Sequence, residues 1–193
     1  MKLGELCESK GGNGFPKDFQ GNKDSAQTPF IKVSDMNTIK NSREITTSNN
    51  YVDDNVIKKL KLVIFPKDTI IFPKIGMAIH TNKKRILKIP CIVDNNIMAV
   101  NILDSAKATI NTHFLFLIFE HYVNLSDIAS LANPPSINNS SFKALQIPLP
   151  PLQIQEQIIK CIEIIENKII IIKEFLNLEE KQKKDTLKSF LNS

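Results

Sequence analysis

Asn133-Pro134-Pro135-Ser136 comes within one residue of a base-modifying loop. In such a loop the asparagine amide and a proline carbonyl hold a target amine, and an aromatic fourth residue stacks on the flipped base. Ser136 cannot stack, and no glycine-rich strand-to-helix turn is present to cradle a dinucleotide-like cofactor in a doubly wound sheet. The motif therefore reads as a turn. Gly11-Gly12-Asn13-Gly14 is followed by Phe-Pro-Lys rather than by Lys-Ser/Thr and a helix, so it is no phosphate-binding loop. Asp68 falls in a Pro-Lys-Asp turn and has no Glu-x-Lys partner on a following strand, which removes a nuclease centre. The three cysteines, Cys7, Cys91 and Cys161, and the three histidines, His80, His113 and His121, show no metal-ligand spacing. These patterns predict a protein without catalytic residues, metal or cofactor.

Charge is the remaining chemistry. The formal net charge is +5, and it divides unevenly. From Pro151 onward every lysine is matched by an acid, so the excess lies in residues 1–150. No acid occurs between Asp68 and Asp94, while Lys74, Lys83, Lys84, Arg85 and Lys88 fall inside that gap. A patch of this kind can neutralise phosphates. With Arg43 and Arg85 the only arginines, base reading would fall largely to Asn, Gln and Lys. The candidate DNA contacts are Lys10, Asn13 and Lys17 in the first loop, Lys74, and the stretch His80, Thr81, Asn82, Lys83, Lys84 and Arg85.

The elements that must position these residues are short. Lys2–Ser9 is a first element, followed by a long polar loop through residue 27. A strand follows from Thr28, then a helix capped by Asn or Asp ahead of Val56, Ile57 and Leu60. Leu62–Phe72 reads as two strand pieces, and Cys91–Ile102 as two more around Asp94-Asn95-Asn96. Asn111 or Thr112 caps a further helix, with Phe114, Leu117, Ile118 and His121 or Tyr122 on one face. Pro148, Pro150 and Pro151 force an extended boundary. The expected fold is α+β: a mixed α/β domain over 1–150, then a long coiled-coil-like helix over 151–193.

That helix carries Ile158, Ile162, Ile165, Ile169, Ile172 and Leu176 at spacings of 4, 3, 4, 3 and 4, the seam of a heptad repeat. Glu179 and Lys183 interrupt it, and Leu187, Phe190 and Leu191 restore it. A second stripe of Ile164, Ile171, Phe175 and Leu178 widens the apolar surface. Roughly 39 residues at 1.5 Å each extend about 58 Å, against about 35–40 Å for a globule of 150 residues. The seam, including Leu187 and Leu191, is therefore expected to pair with a helix of another chain. Its apolar runs are too short to span a bilayer. Glu5 and Glu8 interrupt any leader-like apolar region, and widely spaced thiols fit a reducing compartment, so a cytoplasmic location without a membrane is expected.

Several segments, in order, resemble one family. Lys2–Gly12 is similar to a Leu-Gly-Glu strand leading to a glycine-containing loop. Pro29–Met36 is similar to a strand ending in Ser/Gly-Asp-Met/Ile, and Phe65–Phe72 to a Lys-Gly-Asp element with its hydrophobic strand and a following Ile-Gly. Phe142–Ile158 is close to Ile-Pro-Leu-Pro-Pro-Leu and Glu-Gln-Ile ahead of a long helix. The family is the specificity subunits of type I restriction-modification systems. The resemblance implies a target-recognition domain for double-stranded DNA and a helix that spaces and docks. It further implies partners in a DNA methyltransferase (modification) subunit and, through the complex, a restriction subunit. Full-length members carry two recognition domains and two helices; this sequence carries one of each, so a homodimer reading a bipartite site is expected. A decoy or regulatory subunit that binds methyltransferase subunits without reading DNA is the alternative, and the basic front argues against acidic DNA mimicry.

Overall fold

The computed structural model describes residues 1–19 and 27–191; part of the long polar loop expected before Thr28 lies outside them. The chain divides into two compact units, Met1–Pro150 and Pro151–Ser193.

The first unit is built on two sheets. A short helix α1 (Leu3–Leu6) leads directly into β1 (Cys7–Gly11), and β2 (Thr28–Ile31), β3 (Glu44–Ile45) and β4 (Tyr51–Val52) follow. Helix α2 (Asp54–Leu60) starts where Asp53 accepts the Val56 amide at 2.9 Å, satisfying one of the donors a first helical turn leaves open. Then come β5 (Ile70–Pro73), β6 (Arg85–Leu87), β7 (Ile92–Val93) and β8 (Ile97–Ile102). The five-stranded sheet has the order β1-β8-β5-β6-β3 and the smaller sheet the order β4-β2-β7. Of the two strand pieces expected over Leu62–Phe72, the second is β5 and the first makes only an isolated bridge, Phe65 to Cys91.

Alternation across the pleat gives the large sheet two buried faces. On one, Ile71, Ala99 and Ile97 join Ile31, Cys91 and Val93 of the small-sheet side in a single apolar cluster. On the other, Phe72 stacks with Phe119 and Phe142, ring centroids 5.7 and 6.2 Å away. Those rings come from the region after α3 (Thr112–Leu117) and from α4 (Asn139–Ala144), so one face is covered by sheet and the other by helices.

Asn111 caps α3 as expected, accepting the His113 amide at 2.8 Å. The one-sided amphipathic face does not hold: Phe114, Leu115, Phe116 and Leu117 are all buried. The helix then widens into a π turn over Ile118–Tyr122, which leaves His121 and Tyr122 exposed.

The second unit is one helix, α5 (Leu152–Leu191), of 40 residues, about 60 Å long at 1.5 Å per residue. Ile158, Ile165, Ile169, Ile172, Leu176, Leu187 and Leu191 are exposed on it, as are Ile164, Ile171, Phe175 and Leu178; Ile162 is half-buried. Among the described residues no helix is long and apolar enough to cross a membrane.

Candidate nucleic-acid interface

The sequence-derived candidates separate into two groups. In the first, hydrogen-bonding capacity is turned inward. Lys84 is 3% exposed, and its ammonium donates to Asn82 Oδ1 at 2.7 Å and to the Val123 carbonyl at 2.6 Å. Burial pulls its pKa down to about 8, with the Glu120 carboxylate opposing the shift. Arg85 spends its guanidinium on three backbone carbonyls: Nε on Asn41 at 2.5 Å, Nη1 on Lys84 at 2.7 Å and Nη2 on Met36 at 2.8 Å. Burial lowers its pKa too, again against the Glu120 charge.

Asn82, at φ 53°, accepts both the Lys84 ammonium and the Leu125 amide, the latter at 2.9 Å. Asn13 accepts the Val63 amide at 2.8 Å, whereas Thr81, which donates to the Ala78 carbonyl at 2.7 Å, is exposed. Within the stretch His80–Arg85, expected as DNA contacts, Lys84 and Arg85 are thus engaged with the protein's own backbone. The stretch ends a 3-10 turn (Met77–Thr81) and enters β6, and its middle cations fasten three backbone segments together. A buried polar group must be paired, and these residues supply the pairing.

The second group faces outward. His80 is exposed, with Nδ1 3.0 Å from Ser126 Oγ, and Lys83 reaches Asn37 Oδ1. Lys10 and Lys17 are exposed. Lys10 and Lys74 do not meet: Lys10 shares a face of the edge strand with Glu8, whereas a side chain at Gly11 would meet Lys74 Nζ at 2.7 Å on the opposite face. Lys17 lines an open hollow with Phe15, Lys32 and Asp94. There Lys32 Nζ lies 4.5 Å from the Phe15 ring centroid, and Phe15 meets Phe30 edge-on at 4.9 Å. The sequence reading missed Lys32 because it sits at the end of a strand-like run and carries no local charge cluster.

One end of the large sheet gathers several polar loops. Gly12 donates to the Ile97 carbonyl at 3.1 Å and Asn13 to Val93 at 2.8 Å. A Cβ at Gly12 would fall 2.1 Å from the Val93 oxygen, so only glycine permits this close approach. Between β7 and β8, Asp94 Oδ1 accepts the Asn96 amide at 2.8 Å and its side-chain nitrogen at 2.6 Å, fixing a tight turn with Asn95 exposed. The Lys74 amide donates to the Asn96 carbonyl at 2.8 Å. The same end carries residues 130–136, joined to the sheet by the Ile75–Ser136 bridge.

No activated nucleophile emerges from the cysteines of the first unit. Cys7 and Cys91 are buried among apolar residues, which pushes both thiols up to about 12, and a protonated thiol is a weak nucleophile.

Set beside known proteins, residues 1–180 match the type I restriction modification DNA specificity domain. The chain is 29% identical over 174 residues to the protein named as the MjaX type I restriction enzyme specificity subunit of Methanocaldococcus jannaschii, covering 86% of this chain and 40% of that one. Its fold is similar to that of the HsdS subunit from Thermoanaerobacter tengcongensis, with a TM-score of 0.63 at 14% identity over 90% of this chain and 38% of the other. It is similar as well to the type I restriction-modification S subunit from M. genitalium, at TM-score 0.60 and 12% identity over 94% and 42%. A chain solved in a study of complex assembly and conformational transition of the type I R-M system gives TM-score 0.68 at 17% identity over 90% and 39%. The chain thus spans about two fifths of the length of the relatives it matches. With one sheet-based unit, one long helix and a family match running through both, this chain belongs to the type I restriction modification DNA specificity domain family.

Proposed function

We propose that this chain is a non-catalytic DNA reader that supplies half of a specificity subunit. Two copies pair through α5 and present one recognition unit at each end, so that a bipartite, inverted-repeat site is read across a gap set by helix length. The pair directs a modification subunit and, through it, a restriction subunit. The observation carrying this reading is the apolar surface of α5, exposed from Ile164 to Leu178, on a helix that the family match takes in together with one recognition unit.

The pairing is antiparallel. In a parallel pair in register, Glu179 would face Glu179 and Lys183 would face Lys183 within the seam, two like-charge layers at positions that favour apolar side chains. An antiparallel pair centred on Asn167 sets Ile158 against Leu176, Ile162 against Ile172 and Ile165 against Ile169 of the second copy. It thereby removes both layers from the apolar overlap. On the recognition unit, Lys10, Lys17, Lys74, His80 and Lys83 are the outward-facing contacts for phosphates or base edges, while Lys84 and Arg85 shape the surface beneath them.

Single-molecule methylation mapping of a host genome, with the gene present and deleted, tests the reading. A palindromic gapped motif that vanishes with the gene is expected. A methylation pattern indifferent to the gene removes the proposal, and an asymmetric motif replaces self-pairing with a mixed pair.

A further inference from the structure

The loop that resembles a base-modifying motif without its aromatic residue has a structure that its sequence did not foretell. Residues 130–136 are closed at the neck: the Ser130 amide donates to the Ser136 carbonyl at 2.8 Å, and the Ser136 amide to Ser130 Oγ at 3.1 Å. Two further bonds fasten the neck to the sheet, from the Gly76 amide to the Pro135 carbonyl at 2.8 Å and from the Ile137 amide to the Lys74 carbonyl at 2.9 Å. Gly76 takes φ 74° there, a conformation that an L side chain resists. Beyond this braced neck Leu131 is 106% exposed, and Asn133 and Pro134 are exposed beside it. Ile75 and Met77, on the segment to which the loop is tied, are exposed as well.

We infer that this loop is a groove-reading element: the fully exposed Leu131 next to its neck makes an apolar contact with base edges or the thymine methyl group, and Asn133 hydrogen-bonds beside it. Lys74 at its base meets a phosphate of the same duplex. A single apolar side chain on a narrow, braced projection suits a concave receptor, because a flat partner would leave its flanks uncovered.

The charge around the loop selects DNA as that receptor. The segments sharing this end of the sheet, residues 11–15, 74–77, 95–96 and 131–136, contain lysine and asparagine and no acid. Of the acids adjoining them in the chain, Asp94 is buried and bonded within its own turn, while Asp127, three residues before the neck, is exposed and accepts the Asn124 side-chain amide. Side-chain amides read base edges, and an apolar contact distinguishes thymine in the major groove.

The inference rests on the DNA-reading proposal above. Its test is enrichment from a pool of random-sequence duplex oligonucleotides by the full chain, comparing the unaltered protein with Leu131→Asp, Asn133→Ala and Lys74→Gln. Each variant is first shown to melt as the unaltered protein does; the exposure of Leu131 and Asn133 predicts no shift. The unaltered protein is expected to enrich one motif. Leu131→Asp should bind it at least tenfold more weakly, and Asn133→Ala should relax one base position. Lys74→Gln should weaken all sequences alike and reduce the slope of log affinity against log salt by about one.

If the motif and its affinity survive both Leu131→Asp and Asn133→Ala, the loop assignment is overturned while DNA reading stands. A photoreactive side chain at position 131 that crosslinks to protein and not to the oligonucleotide overturns it in favour of a protein receptor. Failure of the unaltered protein to enrich any duplex removes both proposals together.

Discussion

The two units use the same residue types in opposite ways. In Met1–Pro150, isoleucines such as Ile31, Ile45, Ile71 and Ile79 are wholly buried, and a lysine, Lys84, is buried with them. In α5 the isoleucines are exposed from Ile164 to Ile172, among lysines that are exposed too. A strand offers each side chain one of two faces, and a second layer can cover either. A single helix has no second layer within its own unit, and apolar positions spread over more than one stripe need covering from elsewhere. Burial in the first unit is therefore a property of the chain, and in the second, on the proposed pairing, a property of what the chain meets.

The largest expected effect breaks that contrast at the helix. Ile165→Asp combined with Ile169→Asp sets four carboxylates near the centre of the proposed antiparallel pair. Desolvating them without partners, together with the lost apolar burial, costs about 4 kcal/mol or more, a weakening of association by roughly a thousandfold. Sedimentation should find the unaltered protein paired and the variant as single copies. Thermal melting of the recognition unit should not move. An unaltered protein that remains a single copy at high concentration, or a variant that still pairs, ends the claim that these isoleucines await a second chain.

The reciprocal substitution is Phe72→Ala, in the centre of the stack with Phe119 and Phe142. Removing a fully buried ring from a packed core costs about 3–5 kcal/mol, read as a large drop in the denaturation midpoint. Association of the molecules that remain folded should be unchanged, because Phe72 lies in the other unit. A variant that lost association and kept its stability would show the two units to be one cooperative body.

Sequence pattern reached the local features and stopped at the non-local ones. The caps at Asp53 and Asn111, the proline-marked run into α5 and the length of that helix are written in neighbouring residues, and the structure carries them. The two strands around Asp94-Asn95-Asn96 are present, yet β7 joins the small sheet and β8 the large one. Partners such as Phe30 for Ile92 and Ser9 for Val100 lie far away in sequence, and no local pattern names them. The amphipathic expectation for Phe114–Tyr122 held at Phe114 and Leu117 and failed beyond them: Leu115 and Phe116 are buried as well, and the π turn leaves His121 and Tyr122 exposed. At the site, a run of basic residues was legible and its orientation was not: Lys83 and Lys84 are adjacent, and one faces solvent while the other is enclosed. Asn133–Ser136 was legible as a turn; the wider 130–136 loop is tied down by bonds to Lys74 and Gly76, more than fifty residues earlier.

The smallest effect sharpens the contrast on the lysine side. Lys84 titrates near 8 in the folded protein against an ordinary value of 10.5, so the native state binds fewer protons than the unfolded chain across that interval. A lowered lysine pKa is a cost that burial imposes on the charged form. The cost is present in full below pH 8, where Lys84 is charged in both states, and it is relieved as pH rises from about 8 toward 10.5. Stability referred to a Lys84→Met variant should therefore increase with pH over this window, with a slope no steeper than about 1.4 kcal/mol per pH unit. Below pH 8 the difference should be flat. Chemical denaturation of both proteins at pH 7, 8, 9 and 10 reads it directly. A flat profile for Lys84→Met would mean that the ammonium is solvated after all, and the inward-facing role given to the middle of the basic stretch would fall with it.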